Sequence, residues 1–272
     1  MTEIVFVRTR YWYRSYTDFW HLVELSGFPT CFVDEVDVSR RATYVVSPMN
    51  GEWPPHIINQ KDKPRNARFI LWNLERPSGK GGVANFAKDC HSFIDGRTID
   101  EVWTMDRRLA QETGTRFVVL GSDYGLGQPG DVSEKKYAFV HRSYIPWRRA
   151  HVYGQFASHE IAPNDWDPVV RDASLRQAKF ALNIHQDEFP YQEPLRLALF
   201  AAYGLPILTE TILDSYPWSE EFMIHHPYQG IVGRLREMLG NDYGRWYEFG
   251  FRARERMCGE FNFKKMVLEA IG

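Results

Sequence analysis

The stretch from Phe180 to Glu210 reads FALNIHQDEFPYQEPLRLALFAAYGLPILTE, and it decides the fold. Both of its ends are short, non-alternating apolar runs, which are typical of strands buried on both faces. Pro194 suits the first position of a helix and Gly204 suits the position just past a helix end, so we expect a buried helix between them. A strand, a helix and a strand in this order predict a βαβ unit with parallel strands.

Two charged side chains, Glu193 and Arg196, stand at the start of this predicted helix. A carboxylate suits the positive end of the helix dipole, whereas a cation opposes it. An unfavourable cation at a helix N-terminus makes sense where an anion binds at that end. Alternatively, the two side chains form a simple ion pair one turn apart, worth only ~0.2–0.5 kcal/mol. The sequence leaves both interpretations open.

Short apolar runs followed by polar residues recur along the chain and predict further buried strands. These runs are residues 4–7, 31–33, 44–46, 69–72, 102–103, 117–120 and 137–140. A helix is expected after the first run, because Ser15 and Asp18 have capping-box spacing and Gly27 suits its end. Another helix is expected around 172–178. The chain after residue 228 is predicted to be mostly helical, over 229–239, 243–257 and 263–271.

Residues 121–136 contain four glycines and one proline, a composition that predicts a break between domains. We therefore expect the α/β class, with two Rossmann-like lobes that each hold a parallel sheet, and a helical C-terminal tail. The predicted boundaries are 1–125 for the first lobe, 126–136 for a linker and 137–272 for the second lobe. Ligands of such sheets bind at the carboxyl ends of the strands, where this sequence places its charged residues.

The composition is that of a folded globular protein. Of the 272 residues, 44% are hydrophobic and 25% are charged, which excludes a wholly disordered chain. The formal charge is −2, so no overall basic character indicates nucleic-acid binding. The three cysteines lack Cys-x-x-Cys spacing, which excludes a thiolate zinc knuckle. Since we find no signal peptide and no apolar run of about 18 residues, we expect a cytoplasmic protein without a membrane span.

Two motif matches are better explained as loops. Gly125–Gly130 matches the letters of G-x-G-x-x-G, but Pro129 leads toward a predicted strand, whereas a dinucleotide fingerprint opens a helix. Asp165 and Asp167 form an Asp-x-Asp pair of the kind that can hold a divalent ion on a diphosphate. Because they lie just ahead of a predicted helix, a turn with a helix cap is the better interpretation. His, Asp and Glu residues show no metal-ligand spacing, so no metal site is predicted, and His225 and His226 are expected in a solvated loop.

The quoted stretch resembles the donor-binding element of glycosyltransferases with the GT-B fold, most of all the CgeB-like and bacteriophage-encoded branches. The resemblance lies in Asn-Ile-His after the first strand and in the closing Ala-Ala-Tyr-Gly-Leu-Pro-Ile-Leu-Thr-Glu. These enzymes have Glu-Ala-x-Ala-x-Gly-x-Pro-Val in this place. Segments 69–77 and 117–123 fit the same picture. The resemblance implies a transferase that moves a sugar from a nucleotide sugar, such as a UDP-sugar, to an acceptor hydroxyl.

Such a reaction requires stabilisation of the diphosphate leaving group. GT-B enzymes typically use helix N-termini and basic side chains rather than a metal ion, so the resemblance implies no cofactor and no metal beyond the nucleotide sugar. The candidates for binding the donor and its phosphates follow second-lobe strands or flank the quoted helix: Arg142, Arg148, Arg149, His185, Glu193, Arg196, Thr209 and Glu210. For Arg148 and Arg149, a solvated helix face is the alternative.

The family's ribose-binding glutamate falls on Leu199, which cannot accept a hydrogen bond; Glu193 or Glu210 is the expected substitute. At the other reacting group, an inverting enzyme needs a base to deprotonate the acceptor. We expect this base in the first lobe, where Asp106, Glu75 and Asp123 each follow a predicted strand, and Asp106 ranks first.

The acceptor stays open between a modified DNA base, a protein and a glycan. Aromatic residues within 11–20 form either a stacking surface for it or part of the core. Two other function classes remain: a non-catalytic module that binds a nucleotide or a sugar, and a degenerate transferase in which Leu199 marks lost turnover.

Overall fold

The computed structural model describes residues 2–8, 16–46, 67–74, 83–84, 87–88, 99–142, 147–165, 167–185 and 191–272. The chain forms two compact units, Met1–Val119 and Leu120–Gly272, each with its own parallel sheet. The expected α/β class, with two Rossmann-like lobes and C-terminal helices, is therefore confirmed. The sequence predicts a linker at 126–136, whereas the structure places these residues in the second unit, which begins at Leu120.

The first unit contains a six-stranded parallel sheet in the order β2-β1-β3-β4-β5-β6. Its strands are β1 Glu3–Arg8, β2 Thr30–Phe32, β3 Ala42–Val46, β4 Arg68–Asn73, β5 Glu101–Thr104 and β6 Arg116–Phe117. Helix α1 spans Thr17–Leu25 and helix α2 spans Arg107–Thr113. Trp72 of β4 and Trp103 of β5 are fully buried and pack edge to face. Burial of the sheet explains why its strands are apolar runs rather than alternating patterns.

Helix α1 begins differently from the sequence expectation but ends as predicted. Tyr16 occupies the N-cap and makes no side-chain capping bond, while Ser15 of the expected capping box lies outside the described residues. At the other end, Gly27 adopts a φ of 70°, in the left-handed region that favours glycine.

The second unit contains a four-stranded parallel sheet in the order β10-β9-β8-β7. Its strands are β7 Tyr137–Val140, β8 Ala178–Asn183, β9 Ile207–Glu210 and β10 Ile224–His226. Its helices are α3 Trp147–Tyr153, α4 Pro168–Gln177, α5 Pro194–Ala202, α6 Ile231–Gly240, α7 Tyr243–Arg254 and α8 Phe263–Ile271, with a π-helical turn at Glu255–Glu260. Strand β10 corrects the expectation of a loop at His225 and His226. Within the described ranges of both units, no helix is long and apolar enough to cross a membrane.

Helix α5 has the bounds that Pro194 and Gly204 predict. It begins at Pro194, and Gly204 past its end adopts a φ of 63°. A Cβ on Gly250 of α7 would overlap the carbonyl oxygen of Gly204, so the two backbones lie in direct contact. The buried helix α5 is thereby held against α7 as well as against the sheet.

The first and last segments of the second unit are hydrogen-bonded to each other. The Ser122 N–H donates to the Phe261 carbonyl at 3.2 Å, and the Phe263 N–H donates to the Ser122 carbonyl at 2.8 Å. Gly121 has a φ of 68°, and a Cβ there would overlap the Phe261 carbonyl oxygen. The buried Ser122 hydroxyl donates to the Ala198 carbonyl of α5 at 2.9 Å. We call this pairing of residues 121–122 with 261–263 the seam.

Both motif matches that the sequence assigns to loops are loops in the structure. The glycine-rich segment holds two short 3₁₀ turns, and a Cβ on Gly127 would overlap the Tyr203 ring. This glycine therefore permits close packing rather than an approach to phosphate. The Asp167 carboxylate caps α4, accepting from Val169 N–H at 2.9 Å and Val170 N–H at 3.2 Å.

Candidate functional site

The carboxyl ends of β7, β8 and β9 bring polar side chains to one edge of the second sheet, because parallel strands all end there. His141 and Arg142 follow β7, His185 follows β8, and Thr209 and Glu210 end β9. Helices α3 and α5 add further charged groups through their first turns. We call the charged residues gathered at this edge the arginine cluster: Arg142, Arg148, Arg149, Glu193, Arg196 and Glu210.

Glu193 joins two guanidiniums of the arginine cluster and lies close to His185. One carboxylate oxygen, Oε2, accepts from Arg196 Nη1 at 2.7 Å and lies 3.6 Å from Nδ1 of His185. The other, Oε1, accepts from Arg149 Nη2 at 3.3 Å. The Glu193 side chain is only 11% exposed, so these contacts are made in a largely desolvated setting. The ion pair between Glu193 and Arg196, left open by the sequence, is therefore formed.

Arg196 is held from a second side as well. Its Nη1 donates to Asn183 Oδ1 at 2.6 Å, and Asn183 Nδ2 donates to Thr209 Oγ1 at 3.0 Å. Asn183 and Thr209 are buried at the ends of neighbouring strands. This chain of bonds fixes the guanidinium at the N-terminus of α5, the end at which the helix dipole favours an anion.

Glu210 orients a second arginine. Its Oε1 forms an ion pair with Arg148, and its Oε2 accepts from the His185 backbone N–H at 2.6 Å. The guanidinium of Arg148 also lies over the Tyr228 ring, 4.1 Å from the ring centroid. The Tyr228 hydroxyl donates to the Arg148 carbonyl at 3.0 Å. Arg148 is thus fixed both by a carboxylate and by an aromatic face.

Arg149 is almost completely buried, with its side chain 2% exposed. Its Nε donates to the carbonyl of Ile184, the residue just after β8, at 2.7 Å. Arg148 is buried as well. The alternative that the two arginines form a solvated helix face is therefore wrong, because α3 turns both side chains toward the sheet edge.

His141 and Arg142 complete this edge. Arg142 Nη1 donates to the Asp165 backbone carbonyl, which ties the end of β7 to the turn before α4. The His141 ring stacks on Tyr153, with centroids 4.1 Å apart. Burial lowers the pKa of His141 to about 4, and the nearby cations Arg196, Arg149 and Arg142 act in the same direction. His141 is therefore neutral at pH 7.

Among the described residues, the arginine cluster brings four guanidiniums to two carboxylates. Arg148, Arg149 and Glu210 are each at least nine-tenths buried. Guanidiniums form strong, charge-assisted hydrogen bonds with phosphate oxygens. Several fixed guanidiniums at the N-terminus of α5 therefore suit an anionic ligand such as a diphosphate.

The three expected catalytic carboxylates have different outcomes. Asp106 is buried and caps α2, with Oδ1 accepting from Leu109 N–H at 2.8 Å. Asp123 belongs to the second unit instead of the first lobe, and there it accepts from Gly125 N–H at 2.8 Å and Asn262 Nδ2 at 2.9 Å. Glu75 lies outside the described residues. Both described carboxylates therefore have structural roles that the sequence did not indicate.

Sequence reasoning missed Asn183, Tyr153 and Tyr228 as parts of this edge. Asn183 is a polar residue inside a run predicted to be a strand, and this was the signal that could have identified it. Tyr228 lies far along the chain from Arg148, and no sequence pattern connects them. Among the described residues, no group of three or more His, Cys, Asp or Glu side chains is placed to hold a metal ion.

Comparisons with known proteins find similarity of fold without similarity of sequence. No family model matches the chain, and no curated protein matches it. Among solved structures, HepE of Anabaena in complex with UDP-glucose matches with a TM-score of 0.64 at 8% identity, over 100% of this chain and 99% of that chain.

Two further solved structures match over nearly the whole chain. AviGT4, a glycosyltransferase involved in avilamycin A biosynthesis, has a TM-score of 0.59 at 11% identity, over 99% of this chain and 97% of its own. A glycosyltransferase from Rickettsia africae has a TM-score of 0.53 at 11% identity, over 99% of this chain and 97% of that chain. At these identities the likeness establishes the fold alone: the chain has the two-lobed α/β fold that these glycosyltransferases also have.

Proposed function

We propose that the protein is a glycosyltransferase that moves a sugar from a nucleotide-sugar donor to an acceptor hydroxyl. The observation that carries the proposal is the arginine cluster, in which buried guanidiniums are held by carboxylates at the carboxyl edge of a parallel sheet. The fold shared with glycosyltransferases supports the same reaction class. A fold alone does not determine a function, so the site bears the greater weight.

In this proposal, Arg148, Arg149 and Arg196 bind the donor diphosphate. Negative charge grows on the diphosphate as its bond to the sugar breaks, and fixed guanidiniums stabilise that charge without having to reorganise. Arg148 Nε is buried without a hydrogen-bond partner among the described residues, so it has a donor for a phosphate oxygen. The N-terminus of α5 adds the partial positive charge of its dipole.

Glu193 and Glu210 hold these arginines in place, and they are also our candidates for accepting a hydroxyl of the donor. Each carboxylate oxygen already has a partner, but an ionised carboxylate offers about four lone-pair sites. Leu199 is fully buried inside α5, so its side chain is part of the core and does not take this role. His185 and Thr209, at the same strand ends, complete the proposed donor site.

For an inverting reaction we propose Asp106 as the base that removes the proton of the acceptor hydroxyl. It is the buried carboxylate after β5, and a protein hydrogen bond to Oδ1 fixes its orientation. A retaining reaction does not need this group. The proposed acceptors are a modified DNA base, a protein or a glycan. Among the described aromatic residues of this stretch, Trp20 is buried in the first unit, so it is not available for stacking on an acceptor.

We further propose that transfer needs no divalent metal, because the guanidiniums balance the diphosphate. Turnover should persist in excess EDTA, and also in the Asp165→Asn/Asp167→Asn double variant, apart from a loss of about 1 kcal/mol of stability from the missing α4 cap. A modest stimulation by magnesium would not contradict this. Loss of activity both with the chelator and in the double variant would place a metal-bound nucleotide at the turn before α4.

The experiment that tests the function is incubation with a panel of UDP-, GDP- and TDP-sugars, followed by detection of released sugar. A transferase should hydrolyse its donor slowly without acceptor, and Arg148→Ala should abolish this. Arg108→Ala, in an exposed ion pair of α2, is the matched control. The second candidate is a module that binds without turnover, and the buried Leu199 favours it. Such a protein would be stabilised against heat by a nucleotide sugar but would release no sugar.

A further inference from the structure

The second unit has a cavity of about 740 Å³ that shares no lining residue with the arginine cluster. One wall is the segment from Glu220 to His225, which leads into β10, and the other walls are α6 and α7. This volume lies within the range of small-molecule sites, about 300–1,000 Å³. We call it the β10 cavity.

Two arginines of the lining lie against aromatic rings of α7. The guanidinium of Arg245 lies 5.8 Å from the Trp246 ring centroid, and that of Arg252 lies 5.5 Å from the Phe249 ring centroid. Stacking on a ring holds a long side chain in place while its N–H groups stay available. Within the described part of the chain, neither Arg245 nor Arg252 forms an ion pair.

Two buried nitrogens of the β10 cavity also lack hydrogen-bond partners among the described residues. Trp246 Nε1 and His225 Nε2 are buried without a hydrogen bond in the part of the chain that the structure describes. Burial lowers the pKa of His225, so its ring is neutral at pH 7 and presents one donor and one acceptor nitrogen. Unsatisfied buried polar groups in a folded protein call for an explanation, and a bound ligand is one.

The same lining contains acceptors. Glu220 and Glu221 stand in the segment that leads into β10, whereas both arginines belong to α7, and neither carboxylate forms an ion pair with another described residue. An anionic ligand would be attracted by Arg245 and Arg252 but would meet these two carboxylates. The arginines need hydrogen-bond acceptors, and the carboxylates need donors. Because a hydroxyl group both donates and accepts, a ligand that carries hydroxyls satisfies both sets of side chains. The partly exposed indole of Trp246 offers apolar surface beside these groups for the C–H face of a sugar.

We infer that the β10 cavity is a saccharide-binding site, which takes a neutral mono- or disaccharide. Its hydroxyls would bond to the guanidiniums of Arg245 and Arg252 and to the carboxylates of Glu220 and Glu221, while a sugar ring packs on Trp246. This binding requires no nucleotide and no transfer reaction, so the inference does not depend on the proposed function.

The test is titration of the full chain with maltose, cellobiose, lactose and chitobiose, followed by Trp fluorescence and saturation-transfer NMR. At least one saccharide should saturate at millimolar concentrations or below, and Arg245→Ala/Arg252→Ala should weaken its binding by about tenfold to a hundredfold. The control is Arg236→Ala, which removes another stacked arginine of α6 that lies outside the cavity. It should leave saccharide affinity unchanged.

Three results would overturn the inference. The first is that no saccharide saturates the protein. The second is that saccharide binding survives both in the arginine double variant and in Glu220→Gln/Glu221→Gln. The glutamate variant changes only exposed positions, so it can be tested even if the arginine variant is unstable. The third is that uridine monophosphate, used as a further probe, loses binding in these variants, which would make the cavity a nucleotide site. A protein that binds a saccharide here but hydrolyses no nucleotide sugar would refute only the proposed function.

Discussion

The substitution Glu193→Gln tests whether the arginine cluster depends on one carboxylate. Gln keeps the size of the side chain and one oxygen acceptor but removes the negative charge. In the structure that charge faces Arg196 at 2.7 Å and Arg149 at 3.3 Å, in a side chain only 11% exposed. Removing it leaves two mostly buried guanidiniums without their shared partner, and we expect the fold of the second unit to lose stability.

The size of the expected loss of stability follows from the burial of the Glu193 ion pairs. Breaking a buried ion pair by removing one partner costs about 3–5 kcal/mol, and the oxygen that Gln retains recovers part of this. We expect the free energy of unfolding to fall by ~2–4 kcal/mol. For units of about 150–250 residues this lowers Tm by roughly 4–16 °C. Glu112→Gln removes the same charge from an exposed ion pair with Arg108 and should cost at most ~0.5 kcal/mol.

The assay is thermal and urea unfolding of both variants, with and without UDP. Because Glu193→Gln increases the positive charge of the arginine cluster, UDP should stabilise this variant at least as much as the wild-type protein. The reasoning is refuted if Glu193→Gln unfolds like the wild-type protein yet loses the stabilisation by UDP. That result would mean that Glu193 acts only through contact with the ligand and does not hold the arginines.

Three further predictions concern single positions. Arg196→Ala should weaken nucleotide-sugar binding by roughly 1.5–3 kcal/mol in calorimetry; unchanged affinity with lost stability would leave Arg196 only a structural partner. The pKa of His141 is about 4 in the folded protein and about 6.5 in an unfolded chain, so only the unfolded state binds this proton between those values. Stability should therefore fall by up to ~3 kcal/mol from pH 6.5 to pH 4, and His141→Gln should flatten this part of the profile measured by urea unfolding. Gly250→Ala should destabilise the protein by ~1–3 kcal/mol, because the new methyl group would overlap Gly204. Gly233→Ala should stabilise the protein by ~0.5–1 kcal/mol, because the space around this position of α6 is open. Equal Tm values for the two variants would contradict both expectations.

The strongest local signals in the sequence predicted the fold well. Pro194 and Gly204 located α5, because each restricts the backbone in a way that depends on few neighbours. Short apolar runs located the buried strands of both parallel sheets, since burial on two faces leaves little room for polar residues. These are effects of a residue and its immediate surroundings, and the sequence displays them directly.

Features that depend on distant partners were not predictable. Strand β10 contains two histidines and has little strand character, and it forms because it pairs with β9. Asp123 has the position of a residue after a first-lobe strand, but its partner Asn262 lies near the chain end and belongs to the second unit. Only the folded arrangement brings such pairs together.

The arginine cluster was predictable as a set of residues but not as a network. The strand ends and the start of α5 identified the arginines and Glu193. The sequence did not indicate that Tyr228 supports Arg148 or that Asn183 holds Arg196, because both contacts join separate elements. The structure was also needed to show that the Glu193 carboxylate is shared among three basic groups.

The seam has a consequence for how the chain acquires its structure. Residues 121–122 cannot complete their bonds until residues 261–263 are present, so this pairing closes one of the longest loops in the second unit. Contacts between residues that are so far apart in sequence form slowly, because the chain loses the entropy of closing the loop before the contacts stabilise it. During synthesis on the ribosome, the backbone N–H and carbonyl of Ser122 would lack these partners until nearly the whole unit has emerged. A nascent chain stopped before Asn262 should therefore remain sensitive to protease at residues 120–130, even where the sheet of the second unit has already assembled.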